Sequence, residues 1–259
     1  MNKNSKSIVI EKKLLLIKSY EFSELQRFLR KFELFKNRSK MVAIVPGDEQ
    51  GQIKKILKVI VVGEMGTGKT SLIRQYVQGF FSEFYKTTIG VDFANKDIKW
   101  DERTTVSLQL WDIAGQERYG NMTHVYYQEA CAAFVVFDVT RTASFDMVPV
   151  WKKDIDDKVF TASNQPIPCM LLGNKIDLCP HGVWSKNHKD MDQFVVEHNF
   201  VGFFETSARN GANIDEAAKT LVKYIMDNNI EPSSGKNDKT VDLVVNEDQS
   251  MNSSGGCCK

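Results

Sequence analysis

The residues Gly63-Glu-Met-Gly-Thr-Gly68-Lys69-Thr70 have the spacing G-x-x-x-x-G-K-[ST]. Glycines so spaced let backbone N–H groups turn inward around phosphate oxygens. Lys69 can then reach the β- and γ-phosphates of a nucleotide, and the Thr70 hydroxyl can bind Mg²⁺. The bland alternative is a glycine-rich turn without a ligand. Asn174-Lys175-Ile-Asp177 carries a second chemistry. A carboxylate at Asp177 can accept two hydrogen bonds, from the ring N–H and the exocyclic amine of guanine. Adenine offers no such donor pair. Alone, the four residues would also suit an ordinary turn. Their weight comes from order: the glycine-rich loop, then Asp112, then this motif, then Glu205-Thr-Ser207-Ala208.

Between these motifs lies Trp111-Asp112-Ile-Ala-Gly115-Gln116-Glu117. Asp112 can hold Mg²⁺ through water, Gly115 can offer its N–H to a γ-phosphate, and Gln116 can orient an attacking water. Thr87-Thr88-Ile-Gly-Val-Asp-Phe93 precedes them. A threonine hydroxyl there could complete a Mg²⁺ shell only while a γ-phosphate is present, which gives an order–disorder switch. Cys179, His181 and His188 crowd the stretch after Asp177, but their spacing fits no standard zinc template. Trp151 and Trp184 read as packing residues.

Such motifs need rigid elements beneath them. ILKVIVVG (56–63) is a β-branched run ending in glycine and fits a central parallel strand, with a helix opening at Lys69. Segments 93–100 and 104–112 alternate and predict a hairpin around Asp101-Glu102. Segments 132–139 and 168–174 read as buried strands and 202–208 as a shorter one. Residues 213–228 predict a helix with apolar positions 214, 217, 218, 221 and 225, and Asn213 and Glu216 are spaced like a capping box. Strands alternating with helices imply a doubly wound, mostly parallel six-stranded α/β sheet with ligands at the strand carboxyl ends.

The 259 residues carry 34 basic and 33 acidic side chains, a net charge of +1, which argues against a dedicated nucleic-acid binder. No apolar run approaches the roughly 18 residues needed to span a bilayer. The five cysteines are odd in number and scattered, as in a reducing compartment rather than a disulfide framework. Charge divides the chain into a basic extension over 1–52 (net +5), a domain over 53–230 (net −2) and a polar tail over 231–259 (net −2). The tail reads as disordered. Residues 1–52 read as a flexible extension, or as sequence ahead of a start at Met41. Their alternative is an amphipathic basic helix with Leu25, Phe28, Leu29 and Phe32 on one stripe.

With these motifs in this order, the middle of the chain resembles a small GTPase of the Ras superfamily, and specifically a Rab. IGVDF (89–93), LQLWD (108–112) and QERY (116–119) carry the Rab resemblance. IGVDFANK, WDIAGQERYGNMTHVYYQEA and GFFETSA resemble the Rab thirty-two/thirty-eight branch. The resemblance implies the phosphate-loop GTPase fold, GTP or GDP with Mg²⁺, and GTP hydrolysis assisted by Gln116. It implies nucleotide contacts by Gly63, Gly66, Thr67, Gly68, Lys69, Thr70, Ser71, Phe81, Thr88, Asp112, Gly115, Asn174, Lys175, Asp177, Ser207 and Ala208, with Thr70, Thr88 and Asp112 as metal ligands. Ile89, Gly90, Val91, Asp92 and Phe93, with Trp111 and Tyr126, match the effector surface. Phe93, Trp111 and Tyr126 also suit plain packing. Implied partners are an exchange factor, a GTPase-activating protein, a GDP-dissociation inhibitor and effectors. The implied place is the cytosolic face of intracellular membranes, endosomal or lysosome-related, in exchange with cytosol.

Two departures qualify the resemblance. Met65 stands where Ras has glycine. Its bulk is expected to crowd the γ-phosphate and slow intrinsic hydrolysis, leaving turnover to an activating protein that supplies roughly 10⁵-fold in the Ras template. The alternative function is therefore a GTP-held binding module with negligible turnover. The sequence Gly-Gly-Cys257-Cys258-Lys259 is not a C-a-a-X box but resembles the paired-cysteine Rab ends that receive two geranylgeranyl groups. Two chains anchor stably where one is marginal.

Overall fold

The computed structural model describes residues 52–84, 86–119, 123–179 and 188–233. Strand β1 (Ile53–Val62) runs into the glycine-rich loop and helix α1 (Lys69–Gln78). Strands β2 (Val91–Lys99) and β3 (Thr104–Ile113) form the expected hairpin, and a 3-10 turn (Gly115–Tyr119) and α2 (Thr123–Tyr127) follow. Then come β4 (Ala132–Asp138), α3 (Thr142–Asp146), α4 (Val148–Lys158), β5 (Cys169–Asn174), a 3-10 turn (Ile176–Leu178), α5 (His188–Glu197), β6 (Gly202–Thr206) and α6 (Ile214–Asp227).

The six strands form one sheet in the order β2-β3-β1-β4-β5-β6, and only the β2–β3 pair is antiparallel. β1 is central because its last four residues, Val59–Val62, are apolar on both faces and can be satisfied only between two layers of helices. Leu57, Val59 and Val61 pack on one side with Leu72, Ile73 and Tyr76 of α1 and Ala217, Ala218, Leu221 and Ile225 of α6. Ile60 and Val62 pack on the other with Trp151 and Ile155 of α4 and Met191 of α5. The neighbours of β1 are β3 on one side and β4 on the other, so the loop after β1 opens where the connections diverge. Doubly wound sheets leave their ligand crevice at such a point.

The helix expected over 213–228 forms, and all five of its expected apolar positions are buried. The capping box does not form. Asn213 adopts a left-handed conformation (φ 57°) and its side chain makes no cap bond. Its Nδ2 donates instead to the Glu205 carbonyl at 2.7 Å, which pins the helix start to the end of β6. The residues 1–51 and 234–259, and with them the basic extension and the cysteine pair, lie outside the described residues.

Ile225 is wholly buried where α6 meets the sheet. Ile225→Ala is expected to cost about 2–5 kcal/mol of stability through lost burial and a residual cavity. The check is a lower urea midpoint at unchanged m-value.

Candidate functional site

Phosphate-loop geometry starts from glycine. Gly68 sits at φ 92°, and a Cβ there would lie 2.5 Å from Asn174 Nδ2. Only glycine combines that dihedral with so close an approach. The loop delivers α1 with no acidic residue in its first turn and no side-chain cap, so the positive helix end faces the crevice. Lys69 is buried at that helix start. Its Nζ donates to the carbonyls of Gly63 (2.7 Å) and Glu64 (3.0 Å). Burial lowers its pKa to about 8, against the pull of Asp112 and Glu64, so it stays protonated at neutral pH.

Three oxygen-bearing side chains converge beside it. The Thr70 hydroxyl donates to Asp112 Oδ2 at 2.5 Å, Thr88 Oγ1 lies 3.4 Å from the same oxygen, and the two hydroxyls are 2.7 Å apart. The other oxygen, Asp112 Oδ1, is buried with no hydrogen-bond partner among the described residues. Burial raises the Asp112 carboxyl above its ordinary value, against the Thr70 bond and Lys69. A buried carboxylate with an orphaned oxygen beside two hydroxyls fits a hard divalent cation, which takes oxygen ligands. Thr70, Thr88 and Asp112 thus suit the Mg²⁺ that the sequence implies, and such an ion would supply positive charge for phosphate oxygens.

The Gly115 backbone comes close to the phosphate loop; a Cβ there would collide with the Met65 amide nitrogen. Gln116 is exposed, and its Nε2 donates to Met65 Sδ at 3.4 Å. Met65, 48% exposed, therefore touches the residue expected to orient water. At the far end, Asn174 is wholly buried and works as a brace. Its Nδ2 donates to the Thr67 carbonyl at 2.9 Å, and its Oδ1 accepts from the Ala208 amide at 3.1 Å. Asp177 accepts the Ser207 hydroxyl at 2.5 Å, which fixes the carboxylate toward the crevice wall. Lys175, at φ 73°, points its Nζ at Asp138, 2.7 Å away. A cavity of about 360 Å³ joins these parts; Gly66, Gly68, Lys69, Thr70, Ser71, Phe81, Thr88, Gly115, Gln116, Asn174, Lys175, Asp177 and Ala208 line it. Of the remaining expected contacts, Gly63 accepts Lys69, Thr67 is buried with its hydroxyl on the Glu64 carbonyl (2.9 Å), and Ser207 holds Asp177.

The expected effector residues also come together. Antiparallel register sets Phe93 opposite Trp111, Asp92 opposite Asp112 and Val91 opposite Ile113. Phe93 and Trp111 meet edge to face at 4.4 Å. A Cβ on Gly90 would lie 4.0 Å from the Tyr126 hydroxyl, and Ile89 is exposed at the rim. Trp111 and Tyr126 are buried, so packing is part of what they do.

Some polar contacts here went unremarked in the sequence. Lys58 is buried on β1 with its Nζ 3.3 Å from the centre of the Trp111 ring and donating to the Gln128 carbonyl at 2.6 Å. Burial lowers its pKa to about 7, against Glu129. Trp151 is packed in the core as expected, and its Nε1 also donates to Glu64 at 3.3 Å. Asp138 was findable, because it ends a strand at the same sheet edge as Asp112 and Asn174. Cys179 is half-buried against the core; His181 and the His188 side chain lie outside the described residues.

The family model described as "Ras family" matches residues 58–227. The chain belongs to the Ras family. Rab-32 of Sus scrofa is 51% identical over 203 residues, covering 78% of this chain and 88% of the pig protein. Rab-32A of Dictyostelium discoideum is 47% identical over 216 residues, covering 83% and 98%. Rab-7L1 of Rattus norvegicus is 45% identical over 181 residues, covering 70% and 87%. The chain is thus a Rab-type small GTPase of the Rab-32-like branch.

Thr70→Ala removes one of the two hydroxyls on Asp112. It is expected to weaken GTP affinity roughly 10- to 100-fold in Mg²⁺, the scale of one charge-assisted contact, and far less in EDTA. Equal losses in both media, measured by fluorescent-nucleotide titration, would remove Thr70 from the metal site.

Proposed function

We propose that this Rab-type chain is a GTP/GDP switch that hydrolyses GTP, recruits effectors in the GTP form and works in membrane trafficking. The observation that carries the reading is the meeting of Thr70 and Thr88 on one oxygen of Asp112. It joins the phosphate loop to the segment that leads into the effector residues. Amides of the phosphate loop and the Lys69 ammonium hold the β- and γ-phosphates. Thr70, Thr88 and Asp112 hold Mg²⁺, which neutralises phosphate charge when bound. Asp177, oriented by Ser207, reads guanine, and Asn174 keeps the base-reading turn at a fixed distance from Thr67. Gln116 orients the water, and catalysis is positioning and electrostatics without a covalent intermediate. A γ-phosphate bonded to Gly115 and sensed by Thr88 orders both segments and presents Ile89–Phe93, Trp111 and Tyr126 to effectors. Loss of that phosphate releases them.

A second reading has its own support. The Gln116 amide is engaged by the Met65 sulfur, which competes with water for it. In that case the chain is a GTP-held module with negligible turnover. Single-turnover hydrolysis on protein purified with Mg²⁺ separates the two. Slow conversion of bound GTP to GDP supports the switch, and GTP intact for hours supports the module. Met65→Gly is expected to accelerate hydrolysis, and Gln116→Leu to abolish the Gln116 contribution. Unchanged rates in Met65→Gly would clear Met65, and wild-type rates in Gln116→Leu would end the water-orienting role.

No described helix is long and apolar enough to cross a membrane. We propose that geranylgeranyl groups on Cys257 and Cys258 hold the protein on endosomal or lysosome-related membranes, the latter on the branch resemblance. Exchange factor, activating protein, GDP-dissociation inhibitor and effectors complete the cycle. In a prenylating extract, the wild-type chain is expected in the detergent phase and the Cys257→Ser/Cys258→Ser variant in the aqueous phase. Equal partitioning counts against lipidation.

A further inference from the structure

Asp138 ends β4 almost wholly buried, with its side chain 2% exposed. Its Oδ2 takes two cations, Lys175 Nζ at 2.7 Å and Arg141 Nε at 3.3 Å. Its Oδ1 accepts the Thr140 amide at 3.0 Å and the Thr140 hydroxyl at 2.7 Å. Burial alone would raise this carboxyl, yet the Lys175 and Thr140 bonds outweigh it and hold it below the ordinary value. Asp138 is therefore a fixed anion. Lys175 comes to it from the base-reading motif.

Arg141 carries the connection onward. Its Nη2 donates to the Met65 carbonyl at 2.8 Å, in the phosphate loop. The guanidinium lies over Gly66, where a Cβ would be 3.8 Å from Nη2 and 3.9 Å from Nη1. One planar fork thus pairs with a carboxylate through Nε and donates to a loop carbonyl through Nη2, two separated atoms in a fixed geometry that a single ammonium nitrogen does not offer. The two cations exceed the one carboxylate by a charge. Surplus positive charge beside an anion cradle favours an occupied cradle.

We propose that Arg141 is a positioning residue that, through Asp138, ties the base-reading motif to the phosphate loop and slows release of guanine nucleotide. The inference rests on the guanine-nucleotide reading above. On that reading, guanosine diphosphate spans the loop by its phosphates and the motif by its base, so it can leave only when one of them yields. A brace between them makes yielding rarer. With one carboxylate serving both cations, the effects of Asp138 and Arg141 must be coupled rather than independent.

The test is release of fluorescently labelled GDP from the full chain in Mg²⁺, chased with excess unlabelled GDP. Arg141→Ala is expected to release roughly three- to tenfold faster, the scale of a half-exposed charge-assisted contact. Arg141→Lys should recover only part of the difference, because it keeps the charge and loses the fork. Asp138→Asn should also accelerate release, and the double variant should release no faster than the faster single. A general loosening of the fold would instead make the two effects add. Arg141→Ala releasing at the wild-type rate, or full additivity in the double variant, would overturn the brace while leaving the nucleotide reading intact. A wild-type chain that retains no labelled GDP would overturn both.

Discussion

A buried ammonium is the constraint on which the rest of this structure depends. Lys69 sits at the first turn of α1, among groups that cannot solvate it as water would. Stripping a charge of water costs several kcal/mol even after relaxation. Two loop carbonyls at 2.7 and 3.0 Å offset part of that cost, and the carboxylate of Asp112 adds its attraction. Those carbonyls can turn toward Lys69 only because the loop is built on glycines. The ammonium has further bonding capacity facing the crevice, next to a helix end of the same sign. The fold has thus concentrated positive potential at one point and left a polyanion to complete it.

The sheet joins that local arrangement to the surface proposed for effectors. Adjacent residues on a strand point to opposite faces. Trp111 and Asp112 are neighbours on β3, so one projects into the aromatic cluster with Phe93 while the other reaches the hydroxyls of Thr70 and Thr88. The β2–β3 register pairs the same two residues with Phe93 and Asp92. The oxygens proposed to bind the metal and the surface proposed to meet effectors are therefore one residue apart along a single strand pair. Whatever draws Thr88 toward the nucleotide acts at the root of β2, and the surface is the next few residues of that strand.

Much of this was legible in the sequence because parallel α/β sheets put strand carboxyl ends at one edge. Four motifs at four predicted strand ends had to meet there, and Asp112, Asn174 and Thr206 do so. The α6 stripe was legible through its period. What was hidden depended on long-range partners. The spacing of Asn213 and Glu216 suggested a local cap, but a carbonyl at the end of β6 claimed the Asn213 amide. Lys58 lay inside an apolar run that read as buried on both faces, and only the fold supplies the Trp111 ring and Gln128 carbonyl that accommodate it. Asp138 could be placed from its strand end, but its ion pair with Lys175, 37 residues on, and the bond from Arg141 to the Met65 carbonyl, 76 residues back, could not.

Residue 65 shows why a loop of eight residues can serve two rates. Its side chain touches Gln116, and its carbonyl accepts Arg141. On the proposed function, the first contact bears on the water that would attack the γ-phosphate. On the proposed brace, the second bears on how firmly the loop would hold the β-phosphate. A side-chain substitution changes the first and leaves the carbonyl in place for the second. A change at Arg141 does the reverse. On these two proposals, the lifetime of the GTP form and the retention of nucleotide are set from opposite sides of one residue. In a switch, the first sets the lifetime of the effector-binding form and the second sets the need for an exchange factor. The side chain and the carbonyl of Met65 make separate contacts, so on these proposals one rate can drift without altering the other.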